Sequence, residues 1–458
     1  LSVLDALAHA HARGVIHLDL KPANVLVCPG ADDIAYKLAD FGIAYINGQP
    51  LHLSAGESSD SLLETVERRT LVQGTPPYMA PEQFTYNYRD FGPWTDLYAL
   101  GCLAFALVAG APPFNHKDHQ LMADAHLHTP APPLFPRMAV PGGLEAWIHR
   151  LLEKHPGRRF QRAADAMWAL RQLGEAEEML ELHELEPLEE PDEDPAEAIR
   201  SSMGPTITID VEVQAALHSS LKNGIRRPPQ SEPPPLPDTW HRHVPSRRPQ
   251  TLAGVGLTLY GLRTVPLAGR ARERDVIWNT LIEVRQASQP RLILLHGPAG
   301  TGKTRLAEWI VERSHEVGNA TILKAVHSPS GGPGDGLARM VVRFLRCQGL
   351  DRHVALARVR GMLLEQGIHD EYEWSALTEF MVPSIEDDPQ LASLPDTSGT
   401  EPSMFFERPE ERYALLSRLL ERLGTERPVI VWMEDVQWGS DALSFAEHVL
   451  TKGGSSRL

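Results

Sequence analysis

The sequence predicts a multidomain protein with a mainly α-helical first domain, a disordered linker and a second domain of the three-layer α/β class. Residues 1–173 have apolar residues at helical spacing in four segments, with short strand-like pieces between the first two. Residues 174–251 are acidic and then rich in proline and arginine, a composition that buries too little apolar surface to offset chain entropy. In residues 252–458, short apolar runs alternate with amphipathic segments, which is typical of a parallel α/β sheet.

The same periodicity assigns elements within each domain. In the first domain it predicts helices over residues 1–13, 96–109, 147–152 and 163–173, and strands at 15–16 and 25–27. In the second domain it predicts a helix over 304–317 and buried strands at 291–295, 320–326 and 429–433.

Charge and cysteine content argue against several functional classes. Much of the formal net charge of −16 lies between Glu175 and Glu197, and no basic face indicates a nucleic-acid partner. The three cysteines are far apart, so they match neither a disulfide framework nor a zinc pattern and fit a reducing cytosol. The sequence shows no signal peptide and no apolar run long enough to span a bilayer. We therefore expect a cytoplasmic protein without a membrane segment.

Residues 17–24 form the most specific motif of the first domain, His-Leu-Asp-Leu-Lys-Pro-Ala-Asn. Phosphoryl transfer needs a carboxylate that orients the attacking hydroxyl, a cation near the γ-phosphate and a metal ligand. Asp19, Lys21 and Asn24 supply these groups in that order. Their close spacing lets one rigid loop place all three.

Two further motifs follow this loop. Asp40-Phe41-Gly42 combines a metal-binding carboxylate with a glycine hinge, and residues 74–82 read Gly-Thr-Pro-Pro-Tyr-Met-Ala-Pro-Glu. Together with residues 17–24, these motifs resemble the C-lobe of the eukaryotic-type serine/threonine protein kinases, in the style of bacterial members. The resemblance covers residues 1–173.

The resemblance implies a role for each matching residue. Asp19 would be the catalytic base, and Asn24 and Asp40 would bind Mg²⁺. Lys21 together with Thr75 would mark a protein substrate with a Ser or Thr acceptor.

The same resemblance implies two structural roles and one departure. Glu82 would pair with Arg159, and Asp96 would brace the catalytic loop. The arginine that the family usually has before the catalytic aspartate is Leu18 here. We therefore expect activity that does not depend on activation-loop phosphorylation read through this position.

The chain begins with Leu1 rather than methionine, and no Gly-rich loop or strand lysine precedes the catalytic loop. The resemblance implies both parts in an N-lobe. We therefore expect the chain to be part of a longer protein, with the N-lobe encoded upstream.

The second domain contains a complete phosphate-binding loop, Gly-Pro-Ala-Gly-Thr-Gly-Lys-Thr, at residues 297–304. Its glycines let backbone N–H groups point at phosphate oxygens, and the following helix N-terminus adds a favourable field. Lys303 would contact the β- and γ-phosphates of ATP, and Thr304 would ligate Mg²⁺. The predicted nucleotide-binding residues of the loop are Gly297, Gly300, Gly302, Lys303 and Thr304.

A predicted strand that ends in Glu434-Asp435 complements this loop. Acidic residues at such a strand tip hold Mg²⁺ or activate water, and the sequence leaves open which of the two takes which role. We assign both to nucleotide binding and Asp435 also to the metal. Residues 267–273, Leu-Ala-Gly-Arg-Ala-Arg-Glu, together with residues 434–438, Glu-Asp-Val-Gln-Trp, resemble the AAA-like and signal-transduction (STAND) ATPases. The resemblance implies that Gly269-Arg270 lies near the nucleotide. That resemblance implies a nucleotide-driven switch that can self-associate.

The sequence therefore predicts a signalling serine/threonine kinase fused to an ATP-binding switch, with ATP and Mg²⁺ as cofactors. Two alternatives remain open at this point. One is a pseudokinase scaffold in which only the second domain uses ATP, and the other is a nucleotide-switched regulator.

Overall fold

The computed structural model describes residues 1–29, 34–41, 45–46, 49–50, 74–85, 88–174, 232–242, 267–330, 335–365, 367–383, 406, 408–452 and 456–458. Most of the predicted linker, residues 174–251, lies outside these described residues.

The first region is mainly helical, with short antiparallel strand pairs. Its helices are α1 (Ser2–His11), α2 (Pro81–Phe84), α3 (Pro93–Ala109), α4 (His119–His128), α5 (Leu144–Leu151) and α6 (Ala163–Arg171). Its strands are β1 (Val15–Ile16), β2 (Val25–Pro29), β3 (Ile34–Leu38), β4 (Tyr45–Ile46) and β5 (Gln49–Pro50). Strand β2 pairs with β3, and β4 pairs with both β1 and β5. The helices and strands predicted here are confirmed to within a few residues at their ends.

Helix α3 forms the centre of the first core. Its Leu97, Tyr98 and Leu100 pack in one apolar cluster with residues of α1, α5 and α6. Gly101 lets α5 approach closely, because a Cβ at this position would stand 2.8 Å from the Cβ of Leu151. The helix ends at Gly110, whose φ of 87° is the left-handed conformation typical of a helix C-terminus. Leu20 of the 17–24 motif belongs to the same cluster, so this core fixes the position of the motif.

The second region combines helices with a parallel pair of strands. Its helices are α7 (Ala271–Ala287), α8 (Lys303–Glu316), α9 (Gly336–Phe344), α10 (Arg352–Glu365), α11 (Glu371–Met381), α12 (Pro409–Leu423) and α13 (Ser440–Lys452). Strand β6 (Thr321–Val326) pairs in parallel with β7 (Val429–Glu434), in register from Thr321 opposite Val429 to Val326 opposite Glu434. The predicted helix over 304–317 and the strands at 320–326 and 429–433 are confirmed.

The prediction of a buried strand at 291–295 is wrong. Within the described residues this segment joins no sheet, and Leu292 and Leu294 are 57% and 69% exposed. It lines a cavity of about 350 Å³ together with Val429, Val431 and Leu458. An apolar run predicts a buried strand only where another strand covers it. In the described part of the chain, the Arg291 N–H donates to the Leu458 carbonyl at 2.9 Å. Among the described residues, the second region therefore contains one two-stranded parallel sheet with helices, which is part of the predicted three-layer α/β fold.

Residues 232–242 of the predicted linker pack against the second region. Leu236 and Trp240 join the apolar cluster of α7 and α8, and the Trp240 and Trp309 rings meet edge to face at 5.4 Å. The Trp278 indole N–H donates to the Pro237 carbonyl at 3.0 Å. The expectation of disorder therefore does not describe this segment, because its aromatic residue finds an apolar surface to bury.

Among the helices that the structure describes, none combines the length and apolar character needed to cross a membrane.

Candidate functional site

The loop of residues 17–24 is held by a buried carboxylate on α3. Asp96 is 1% exposed, and its two oxygens accept hydrogen bonds from the backbone N–H groups of His17 and Leu18 at 2.9 and 2.8 Å. The His11 ring binds the same carboxylate at 2.8 Å. Burial alone would raise the pKa of Asp96, but these hydrogen bonds and the His11 and His17 charges outweigh it and hold the pKa below its usual value. The carboxylate therefore stays ionised, and the predicted bracing contact of Asp96 is confirmed.

Two neighbouring side chains hold the Asp19 carboxylate, and a third binds the Asp19 backbone. Its Oδ1 accepts a hydrogen bond from the Thr75 hydroxyl at 2.8 Å, and its Oδ2 pairs with the Lys21 ammonium at 2.9 Å. Lys21 also donates to the Thr75 hydroxyl at 3.0 Å, which closes a three-membered network. The Asn24 amide donates to the Asp19 carbonyl at 2.8 Å. The structure thus brings together four of the residues that the sequence predicts for this site.

Asp40 reaches the site through the backbone of its neighbours. The Ala39 N–H donates to the Asn24 carbonyl at 2.9 Å, and the His17 ring contacts the Ala39 carbonyl at 2.9 Å. The Phe41 ring lies 4.6 Å from the His17 ring. Asp40 itself has a φ of 60° and an exposed side chain. The loop of residues 17–24 is therefore connected to the residue before Asp40 through the N–H and carbonyl groups of Ala39.

Gln83 is a positioning residue that the sequence reasoning missed. Its side-chain amide donates to the Leu18 carbonyl at 2.9 Å, and its amide oxygen accepts from the Ala80 N–H at 2.9 Å. It therefore ties the loop before α2 to the residue that precedes Asp19. The signal was present in the Ala-Pro-Glu-Gln run, since a glutamine three residues after Ala80 is the spacing of a capping interaction.

Leu18 is anchored by apolar contacts. It is 6% exposed and packs with Phe91 and Ile16, although its φ of 65° lies in the left-handed region. A left-handed backbone is strained for a leucine. The buried contacts, together with the hydrogen bonds of the Leu18 N–H to Asp96 and of the Leu18 carbonyl to Gln83, offset that strain. The loop conformation is thus held without a charged side chain at this position.

The predicted pairing of Glu82 with Arg159 is confirmed. The guanidinium binds both carboxylate oxygens, at 2.7 and 2.8 Å, and the two residues are 5% and 1% exposed. Thr95 donates to the same carboxylate at 2.8 Å, and Arg159 stacks over the Tyr98 ring. This bidentate pair fixes α2 and the Pro156–Arg158 turn against α3.

The phosphate-binding loop of the second region has the conformation that its glycines permit. Gly297, Gly300 and Gly302 have φ values of 154°, 78° and 84°, and α8 begins directly at Lys303. The Lys303 ammonium donates to the Gly297 and Pro298 carbonyls at 2.9 and 2.8 Å. The loop lysine therefore lies folded over its own loop.

The predicted partners of this loop lie beside it. Lys303, Thr304, Glu434 and Asp435 all line the 350 Å³ cavity described above. Thr304 and Asp435 have exposed side chains. Arg270 donates to the Thr301 carbonyl at 2.8 Å, so the Gly269-Arg270 element lies beside the phosphate-binding loop.

The two carboxylates at the end of β7 have different surroundings. Glu434 pairs with Lys324 of β6 at 2.8 Å, and its carbonyl accepts from the His327 backbone N–H at 3.2 Å. Asp435 adopts a φ of 55° and accepts a hydrogen bond from the Gln437 amide at 3.1 Å. Lys324 was missed because nothing in a single strand indicates which residue of its neighbour it faces.

Both candidate sites fit Mg²⁺ only with the help of a bound phosphate. No cluster of three or more His, Cys, Asp or Glu residues suited to a metal occurs among the described residues. Mg²⁺ prefers oxygen ligands and is usually held by one or two protein groups together with substrate phosphates. Asn24 with Asp40, and Thr304 with Asp435, supply oxygen donors of that kind.

Comparison with known protein families agrees with the geometry of both regions. Residues 1–167 match the protein kinase domain family, and residues 266–448 match the AAA ATPase domain family. Both families use ATP.

Curated relatives match the first region. Serine/threonine-protein kinase PknF of Mycobacterium tuberculosis is 35% identical over 170 residues, which are 37% of this chain and 33% of the relative. Serine/threonine-protein kinase Pkn1 of Myxococcus xanthus is 39% identical over 160 residues, or 34% of this chain and 21% of the relative. Serine/threonine-protein kinase PknD of M. tuberculosis is 39% identical over 166 residues, or 36% and 22%.

The chain spans a third or less of the length of these three relatives. Within that span, the two family matches occur in the order in which the two sites lie along the chain. The chain therefore contains a protein kinase domain related to the bacterial serine/threonine kinases, followed by an AAA ATPase domain.

Proposed function

We propose that the kinase domain transfers the γ-phosphate of ATP to Ser or Thr hydroxyl groups of a protein substrate, and that the AAA domain is a nucleotide-operated switch. The observation that carries the first part is the Asp19 carboxylate, held at both oxygens by Thr75 and Lys21. A carboxylate oriented in this way can accept a hydrogen bond from an incoming hydroxyl and align it for attack. The kinase names of the relatives support the same acceptor class.

Each remaining residue of the kinase site then has one task. Lys21 places a positive charge where the transferred phosphate carries negative charge, and Thr75 keeps Lys21 and Asp19 in register. Asn24 and Asp40 would hold Mg²⁺, which neutralises phosphate charge when bound. The separation of these tasks requires a rigid loop, and the contacts of Asp96 and Gln83 supply that rigidity.

In the AAA domain, the loop glycines and the N-terminus of α8 would bind the phosphates of ATP. Lys303 would exchange its loop carbonyls for the β- and γ-phosphates, and Thr304 would ligate Mg²⁺. Since Lys324 already neutralises Glu434, we assign Asp435 to the metal side of this site. A switch of this kind can also drive self-association.

The decisive experiment measures phosphotransfer by the full-length gene product. Replacing Asp19 with Asn removes the carboxylate, and we expect the rate to fall by about 10²–10⁴-fold, the usual contribution of a general base. Asp124→Asn is the matched control, because Asp124 is an exposed residue of α4 and should leave the rate unchanged.

Two outcomes would contradict this function. An Asp19→Asn variant as active as the wild type would place the chemistry elsewhere. A wild-type protein without transferase activity, which nevertheless binds ATP in a manner abolished by Lys303→Ala, would favour the pseudokinase scaffold or the nucleotide-switched regulator.

A further inference from the structure

The kinase and AAA domains are joined by a charged contact that neither family match describes. On the kinase side its residues are His9, Arg13, Asp90 and Asp165, which we call the docking face. On the AAA side they face Glu312, Glu316, Arg358 and Arg427. Positive residues of one domain meet negative residues of the other in both directions, so the pattern fixes one relative orientation.

The first part of this contact lies between α1 and the phosphate-loop helix α8. Arg13 pairs with Glu312 and with Glu316, each at 2.9 Å, and the His9 ring binds Glu316 at 2.9 Å. Arg242 of the segment between the domains binds both His9 and Glu316. The Glu316 side chain is 6% exposed, and this buried carboxylate is paired with cations of the kinase domain as well as with Arg313 of its own helix at 3.3 Å.

The second part lies at the end of α8. Arg427 pairs with Asp165 of α6 at 2.8 Å and donates to the Gly318 carbonyl at 2.6 Å. A Cβ at Gly318 would stand 2.9 Å from the Cβ of Ala164, so the two backbones are in close contact. Such an approach leaves no room for a side chain, which indicates a fitted interface.

The third part lies beside the catalytic loop. Arg346 donates to the carbonyls of Arg89 and Phe91 at 2.8 and 2.6 Å and stacks over the Trp94 ring at 4.5 Å. Arg358 pairs with Asp90 at 3.1 Å. Phe91 is the residue that packs against Leu18, next to Asp19. The AAA domain therefore contacts a residue that touches the catalytic loop.

Helix α8 connects the nucleotide loop to the docking face in a single rigid element. It has 14 residues and is therefore about 20 Å long. Lys303 and Thr304 stand at its first turn, and Glu312 and Glu316 at its last turns. On the kinase side, α1 carries His11, which holds the Asp96 carboxylate that suspends the catalytic loop. Each site is thus connected to one helix of the same packed pair.

We propose that the docking face binds the AAA domain of the same chain, and that nucleotide at the phosphate loop changes kinase turnover through the contact of α8 with α1. The docking part stands on the interface alone, whereas the regulatory part rests on the proposed function. Coupling between two sites requires an element whose arrangement both sites bias, and α8 with α1 is such an element.

The test uses the full-length protein and leaves the kinase site untouched. Lys303→Ala removes nucleotide binding at the AAA domain only, so kinase turnover at saturating ATP reports the coupling. In the wild-type background we expect turnover to change by at least about fivefold, the lower end of typical allosteric coupling. In the Arg13→Glu background, where the contact is opened, the same replacement should change turnover by less than about twofold.

A charge swap guards against a variant that simply misfolds. Asp90→Arg alone should weaken the coupling, and Asp90→Arg combined with Arg358→Asp should restore it, because this pair is about one-third exposed and tolerates reversal. Arg171→Glu on the exposed side of α6 is the control and should leave coupling intact. A swap that restores nothing, although both proteins are folded, would overturn the regulatory part.

Amide hydrogen exchange tests docking independently of kinase activity. Arg13→Glu should accelerate exchange in the last two turns of α8, whereas Arg171→Glu should not. Unchanged exchange in Arg13→Glu would overturn docking even in a protein with normal activity. If the wild-type protein showed no phosphotransfer but the exchange in α8 changed as expected, the proposed kinase function would be contradicted and the docking would still be supported.

Discussion

The proposed kinase site and the phosphate-binding loop are held by different kinds of contact. Around Asp19, the Asp19 and Lys21 side chains are buried, and the Thr75 hydroxyl and the Lys21 ammonium bind the two carboxylate oxygens. Around Lys303, most of the loop is exposed, and the lysine ammonium donates to the backbone carbonyls of Gly297 and Pro298. The first site is assembled from distant segments, and the second lies within one short turn.

This difference follows from what each site uses to bind. A catalytic carboxylate must be oriented before substrate arrives, and orientation requires neighbours from elsewhere in the fold. A phosphate loop binds mainly through backbone N–H groups and a helix N-terminus, which the local conformation already supplies. We therefore expect substitutions that break long-range contacts to damage the kinase domain more than substitutions in the loop damage the AAA domain.

The largest effect is expected from Arg159→Ala in the kinase domain. It would leave the Glu82 carboxylate buried without its bidentate partner, and removing one partner of a buried pair typically costs about 3–5 kcal/mol. The free energy of unfolding, measured with denaturant, gives the result. Arg158→Ala is the control, since its pair with Glu153 spans 3.8 Å at the surface and contributes less than about 1 kcal/mol. Equal losses of unfolding free energy in the two variants would show that the buried pair is not the cause.

A smaller effect is expected from Thr75→Val, which keeps the shape but removes the hydroxyl between Asp19 and Lys21. A hydrogen bond to a charged group contributes about 1.5–3 kcal/mol, so we expect phosphotransfer to fall roughly 10–100-fold. Thr75→Ser retains the hydroxyl and should recover most of the rate. If Ser and Val variants were equally slow, the methyl group rather than the hydroxyl would matter.

The AAA domain contains a histidine that makes stability depend on pH. Burial, together with the charges of Arg162 and His11, lowers the pKa of His315 to about 3. The unfolded chain takes up this proton near pH 6.5, whereas the folded chain does not, so stability is present above pH 6.5 and is lost as the pH falls toward 3. Between pH 7 and pH 5.5 the loss from this residue amounts to about 1 kcal/mol.

The measurement compares the wild type with His315→Gln at both pH values. The stability difference between them should shrink on acidification by the amount given above, because the glutamine carries no titrating group. His126 of the kinase domain also has a pKa lowered to about 3, chiefly by burial. It is present in both proteins, so its contribution cancels when their unfolding free energies are compared. A difference that stays constant from pH 7 to pH 5.5 would exclude His315 as the group responsible.

The smallest effect is expected from Lys303→Ala in the absence of nucleotide. Its ammonium donates to two carbonyls of the largely exposed loop, so the unfolding free energy should change by less than about 0.5 kcal/mol. Equilibrium dialysis should nevertheless show one bound ATP fewer per chain than in the wild type. Lys452→Ala, at the exposed C-terminal end of α13, should change neither quantity. A large loss of stability in Lys303→Ala would show that the loop is a structural element as well.

The sequence predicted those parts of the molecule that depend on neighbours close in the chain. Helical periodicity located α1, α3, α6 and α8 to within a few residues, because the burial of one helix face is written in local spacing. The spacing of Asp19, Lys21 and Asn24 predicted that one loop would place them together, and the glycines of the phosphate loop predicted its turn.

Tertiary structure alone decided which distant surfaces meet. Gln83 on the Leu18 carbonyl, Lys324 on Glu434 and the exposure of residues 291–295 depend on segments that the local pattern does not name. The docking of α8 on α1 is of the same kind, since Arg13 and Glu316 read in sequence as ordinary charged residues of two helices. A charge has the same local propensity whether it faces water or a partner, so only the assembled fold distinguishes the two.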